Sequence, residues 1–123
     1  MVLRVSNWTR FIIDGIMVMT VIDDPILSRF RGAVAAAYGD RIEHLVLYGS
    51  RARGDARADS DYDIAVFLRD MSDRAYEMNR LADLGTDILY STGRVIHAMP
   101  YPAASYQERS PLMAEIRRDG LEL

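Results

Sequence analysis

Apolar positions recur at helical spacing through Ile26, Phe30, Val34 and Ala37, behind Asp23-Asp24-Pro25 and ahead of Gly39. The aspartates are suited to an N-cap, Pro25 to the first turn and Gly39 to the stop, so this stretch predicts a capped helix. Arg41 to Tyr48 follows as a strand, with Leu45, Val46 and Leu47 apolar without a break, as expected of a strand covered on both faces. Tyr62 to Leu68 is a second strand. Tyr62, Ile64, Val66 and Leu68 share one of its faces, and Asp61, Asp63, Ala65 and Phe67 the other. Ser72 to Thr92 reads as a long amphipathic helix with Ala75, Met78, Leu81, Ala82, Gly85, Ile88 and Leu89 on its inner stripe, stopped by Gly93. Val95 to Met99 is a third strand ended by Pro100 and Pro102. Ser110-Pro111 caps a last helix through Arg118, and Gly120 releases a short edge strand at Leu121 to Leu123. The order helix, strand, strand, helix, strand, helix predicts one α+β (or α/β) domain.

Composition narrows the chemistry. The 123 residues contain no cysteine and, on reading the sequence, no lysine. Thiol nucleophiles, thiolate metal sites, Schiff bases and the lysine of a Walker A loop are therefore excluded. The two histidines, His44 and His97, are too far apart for short metal-ligand pairing. Eighteen acidic against fifteen basic residues give a net charge of −3, which argues against a general nucleic-acid-binding surface. No run reaches the ~18 apolar residues of a membrane span. Residues 1–22 are expected to form an N-terminal extension, with the domain proper over 23–123. The first 16 or so are then either peripheral or the product of a start codon assigned too early, since Met17 and Met19 stand just before the first well-formed helix.

The chemically informative stretch is Gly49-Ser-Arg-Ala-Arg-Gly-Asp-Ala-Arg-Ala-Asp-Ser-Asp-Tyr-Asp63. Asp61 and Asp63, two apart on a strand, point the same way about 6.5–7 Å apart along the chain, given a rise of ~3.3 Å per residue. Such a pair is either a turn-and-cap feature or a set of hard oxygen ligands suited to Mg²⁺ or Mn²⁺. Gly49-Ser50 ends the first strand where a helical turn can begin, and its backbone N–H groups and hydroxyl can cradle phosphate oxygens. Gly49 and Gly54 have Walker A spacing, but Asp55-Ala56 stands where Lys-Ser/Thr belongs. Arg53 is a candidate for neutralising a triphosphate. Arg51 and Arg57 read more simply as a solvated arginine-rich loop, with Arg51 kept as a secondary candidate.

Gly-Ser, ten intervening residues and Asp-x-Asp on a strand resemble the signature of the DNA polymerase β-like nucleotidyltransferase superfamily. GSRARGDARADSDYDIAVFL is most similar to its minimal nucleotidyltransferases, found as antitoxins beside HEPN-domain toxins. The resemblance is strong over residues 49 to 68 and weaker from Asp23 to the C-terminus. It implies a small mixed β-sheet with helices mainly on one side. It further implies Mg²⁺ on Asp61 and Asp63, and nucleotide phosphates on Gly49 and Ser50. The implied reaction is AMP transfer from ATP to a hydroxyl, in the antitoxin pairs a tyrosine of the HEPN-type toxin, in the cytoplasm. Superfamily members usually carry a third carboxylate on a later strand. Here that strand, Arg94 to Met99, offers only His97, either a base toward the acceptor or a structural histidine. Two carboxylates then suffice, a partner completes the site, or the domain binds nucleotide and neutralises its toxin by contact alone.

Larger relatives use an added domain to grip the acceptor, so a partner protein or second subunit is expected to present it. The segment Tyr101 to Ser110 and the apolar N-terminus with Trp8 and Phe11 are candidate contact surfaces, although Tyr101, Tyr106 and Trp8 read equally as packing at the core edge. A small hydroxylated acceptor, such as an aminoglycoside, is the less favoured alternative. A chain begun at Met17 or Met19 is expected to keep the full chain's denaturation midpoint; global unfolding of the shortened chain would place residues 1–16 in the core.

Overall fold

The computed structural model describes the backbone of residues 11–13 and 16–18, and residues 24–123 in full. Two short strands, β1 (Phe11–Ile13) and β2 (Ile16–Val18), pair antiparallel in a sheet of their own. The remainder of residues 1–22, including Trp8, and the side chain of Phe11 lie outside the described residues. Helix α1 (Pro25–Tyr38) begins where Asp24 accepts a 2.8 Å hydrogen bond from the Ile26 N–H and ends at Gly39. Strand β3 (Ile42–Tyr48) leads into a single helical turn, α2 (Ser50–Arg53), and a loop carries the chain to β4 (Tyr62–Leu68). Helix α3 (Arg74–Thr92), strand β5 (Ile96–Pro102), helix α4 (Pro111–Asp119) and the two-residue strand β6 (Leu121–Glu122) complete the order.

The main sheet has the strand order β5-β4-β3-β6, antiparallel except for the parallel β4–β5 pair. Phe30, Val34, Leu47, Ile64, Val66, Leu68, Leu81 and Ile88 form the larger core between this sheet and helices α1 and α3. On the opposite face Val46, Ala65 and Phe67 pack against Met113 and Ile116 of α4. The alternation in β4 thus sorts two cores, as its sequence predicts. The mixed sheet with two long helices on one side is the expected α+β architecture.

Three details correct the sequence reading. The inner stripe of α1 is centred on Leu27, Phe30, Val34 and Tyr38, with Ile26 and Ala37 only packed at its margin. The stripe of α3 is rotated as well: Glu77, Leu81, Gly85 and Ile88 face inward, while Met78 and Leu89 are exposed. Glu77 earns its place because Arg41 reaches it at 2.5 Å while also bonding Asp70 at 2.7 Å, and a buried carboxylate needs such a partner. Arg41 and Arg80 flank the Tyr38 ring at 5.3 and 4.6 Å. Burial, reinforced by Glu77, pushes the Tyr38 hydroxyl up to about 12.

Strand β5, finally, does not stop at its prolines but runs through both. The Tyr62 N–H donates to the Val95 carbonyl, and Tyr62 stands opposite Ile96. Odd-numbered residues of β5 therefore bond to β4 and even-numbered ones face outward. Pro100 and Pro102 sit where the ladder needs no donor, the position an edge strand permits.

Removing the guanidinium exposes the cost of the buried carboxylate. Arg41→Ala is expected to lower stability by about 3–5 kcal/mol, and adding Glu77→Leu to recover most of that loss, measured by denaturant titration.

Candidate active site

The ladder pairs Tyr48 with Asp63, which sets the residue before Gly49 beside the second aspartate. Gly49 adopts φ +74°, and a Cβ built on it would lie 2.5 Å from Asp63 Oδ2. The positive φ calls for glycine, and a side chain there would also have to push the Asp63 carboxylate aside. Ser50 opens α2, whose turn is closed by hydrogen bonds from Arg53 N–H to the Gly49 carbonyl and from Asp55 N–H to the Ser50 carbonyl, each 3.1 Å. The first N–H groups of a helical turn have no partner within it and are available to an anion.

Asp63 and His97 are opposite each other across the parallel β4–β5 pair, with His97 Nδ1 3.6 Å from Asp63 Oδ1. His97 is largely exposed, and Asp61 stands exposed at the mouth of β4. Burial pushes the Asp63 carboxyl above its ordinary value; His97 works against this, while Asp61 and Glu115 add to it. Glu115, on α4, is the carboxylate that the sequence did not reveal. It lies 3.8 Å from Arg53, and its charge is felt by both Asp63 and Tyr48. Its only signal is its position between the inward-facing Met113 and Ile116 of an amphipathic helix, which becomes informative once α4 is known to cover this face.

Around this acidic centre, burial pushes the Tyr48 hydroxyl up to about 12, with Tyr101, Asp63 and Glu115 acting in the same direction. Burial raises the Tyr101 hydroxyl too, against the pull of Arg74. Tyr101 stacks on Phe67 at 5.6 Å and Tyr106 meets the same ring edge-on at 5.2 Å, so both serve as packing at the margin of the α4 core. His44 is held by Glu122 at 2.8 Å and stacks on Tyr106.

The arginines divide. Arg53 is half-exposed beside the site, 3.4 Å from Asp55 and 3.8 Å from Glu115. Arg51 turns the other way, donating to loop carbonyls and lying 3.9 Å over the Tyr62 ring. The fold thus brings together Gly49, Ser50, Arg53, Asp61, Asp63 and His97, and directs the Arg51 guanidinium into the loop.

Among the described residues no group of three or more His, Cys, Asp or Glu side chains is placed to hold a metal ion. The oxygen donors of Asp61 and Asp63 nonetheless suit Mg²⁺, which commonly takes one or two carboxylates and completes its shell with water and phosphate oxygens. The crowding of Asp63 by Asp61 and Glu115 is negative charge that a cation would relieve.

The profile of the family described as "Polymerase beta, Nucleotidyltransferase" matches residues 34–101, more than half of the chain. The chain belongs to the polymerase β nucleotidyltransferase family. It is 32% identical over 77 residues to MJ0604 of Methanocaldococcus jannaschii, whose name includes the words protein adenylyltransferase; the match spans 63% of this chain and 71% of that protein. Two solved structures share the fold. A Sulfolobus solfataricus protein classed as a nucleotidyltransferase superposes with a TM-score of 0.56 at 17% identity, covering 79% of this chain and 75% of the other. A crystal structure described as a toxin–antitoxin with AMP-PNP gives 0.54 at 16% identity, covering 76% and 68%. No helix among the described residues is long and apolar enough to cross a membrane.

Gly49→Ala tests the central contact of this candidate site. The added methyl is expected to displace the Asp63 carboxylate and, with the strain at positive φ, to cost about 1–3 kcal/mol, read from denaturant midpoints. Unchanged stability and an undisturbed Asp63 side chain in a crystal of the variant would contradict the geometry.

Proposed function

We propose that the chain is a Mg²⁺-dependent nucleotidyltransferase that moves AMP from ATP to a hydroxyl, specifically a tyrosine of a HEPN-type toxin, and so acts as an antitoxin. The observation that carries this reading is the Asp63 carboxylate seated against the Gly49 backbone, where a Cβ would fall at 2.5 Å. It supports reading the acidic pair and the turn of α2 as the two halves of a site for a metal–nucleotide. Membership of the family supports nucleotidyl transfer in general. The name of the M. jannaschii relative supports a protein acceptor, and the toxin–antitoxin bound to AMP-PNP supports an adenine nucleotide and a toxin partner.

In this reading Asp61 and Asp63 hold Mg²⁺, or Mn²⁺ in its place. Gly49 and Ser50 hold the phosphates through backbone N–H groups and the Ser50 hydroxyl, and Arg53 leaves Asp55 and Glu115 for the departing pyrophosphate. The ion, when bound, neutralises charge on the phosphate oxygens. The acceptor oxygen forms a bond to the α-phosphorus, the bond from that phosphorus to the bridging oxygen breaks, and pyrophosphate leaves as the hydroxyl proton passes to solvent. Positioning and charge neutralisation are most of what such a transfer asks of a protein. The domain boundary at residues 22/23 and a cytoplasmic setting belong to the same proposal.

One observation favours a second reading. Strand β5 presents His97, not a carboxylate, to Asp63, which is compatible with a nucleotide-binding antitoxin that neutralises its toxin by contact. The two are separated by incubating the protein with Mg²⁺, α-labelled ATP and the product of the adjacent gene, the expected toxin. Label is expected on a toxin tyrosine, falling at least 100-fold in Asp61→Ala and Asp63→Ala. Neutralisation without label, unaffected by either substitution, would select the contact reading.

A further inference from the structure

The Asp61 carboxylate is exposed, and among the described residues no side chain or backbone group hydrogen-bonds to it. Its position is therefore set by its own backbone. That backbone is fixed from one side chain. Arg51 donates through both Nε (3.1 Å) and Nη2 (2.8 Å) to the carbonyl of Ser60, the oxygen of the peptide that joins Ser60 to Asp61. Nη2 also reaches the Ala58 carbonyl at 3.2 Å and the Arg57 carbonyl at 3.4 Å.

The guanidinium is itself held in place. It lies 3.9 Å from the centre of the Tyr62 ring, whose hydroxyl donates to Asp24 Oδ2 at 2.5 Å. The other oxygen of Asp24 caps α1. A chain of contacts thus runs from the start of α1 through Tyr62 and Arg51 to the peptide ahead of Asp61. The same arginine follows directly on Gly49-Ser50, so one residue ties the anion-accepting turn to the backbone of the first aspartate. From this we infer that Arg51 is a positioning residue for metal binding, acting through the Ser60–Asp61 peptide. Its Nε and Nη2 donors are committed to loop carbonyls.

The inference rests on the reading of Asp61 and Asp63 as metal ligands, and its test separates the two. A fork of planar donors that also stacks on an aromatic ring is something lysine cannot reproduce. Partners one step removed from a metal commonly change affinity by about 10–100-fold when altered. Mn²⁺ binding to the full chain is measured by electron paramagnetic resonance for the wild type, Asp61→Ala, Arg51→Lys and Arg51→Met. Arg51→Met keeps a stem over Tyr62 without any donor, so the comparison does not hang on the folding of one variant, and circular dichroism checks both. Both Arg51 variants are expected to weaken Mn²⁺ binding about tenfold or more. The Mg²⁺ needed for half-maximal AMP transfer is expected to rise by a similar factor, with the rate recovering to within a few-fold of wild type at saturating Mg²⁺. Arg51 variants that bind Mn²⁺ within twofold of wild type, while Asp61→Ala loses it, would overturn the positioning role alone. Mn²⁺ binding unchanged in Asp61→Ala would overturn the metal reading and this inference with it.

Discussion

The site depends on a close approach between one backbone atom and one carboxylate. Gly49 can stand against Asp63 only because it has no side chain and tolerates φ +74°. The β3–β4 ladder brings the two together by pairing Tyr48 with Asp63. Every other feature of the acidic centre is arranged around this contact: the turn of α2 above it, His97 across the parallel pair, and Glu115 arriving from α4.

The two faces of the sheet divide the labour. The face covered by α1 and α3 holds the larger apolar core and the buried Glu77–Arg41 pair, which anchor β3 and β4. The face under α4 holds less apolar surface and gathers charge, including a carboxyl that burial already lifts above its ordinary value. Desolvating Asp63 beside Asp61 and Glu115 is unfavourable in isolation and is sustained by the core behind it. Such frustration is expected where a sequence serves chemistry at the expense of local stability.

The motif was legible because its chemistry is local. Gly49, Ser50, Asp61 and Asp63 lie within fifteen residues, and their spacing depends only on one strand end, one turn and one strand start. The caps of α1 and α4 and both faces of β4 were legible for the same reason. What escaped the sequence depends on partners distant along the chain. Glu77 reads as an exposed position until Arg41 is found beside it, which rotates the whole stripe of α3. Glu115 has no meaning until α4 folds over β3. Arg51 reads as one of several loop arginines, because nothing in the residue order says that its fork ends on the Ser60 carbonyl rather than on an anion.

The prolines of β5 bear on how this domain can meet another protein. With residues 100 and 102 unable to offer outward N–H groups, that rim of the sheet is a poor template for a visiting strand. A continuous intermolecular sheet built along β5 is thereby disfavoured, and recognition beside His97 falls instead to side chains and surface shape. The surface there is then free to change by substitution without disturbing the ladder that carries the acidic pair.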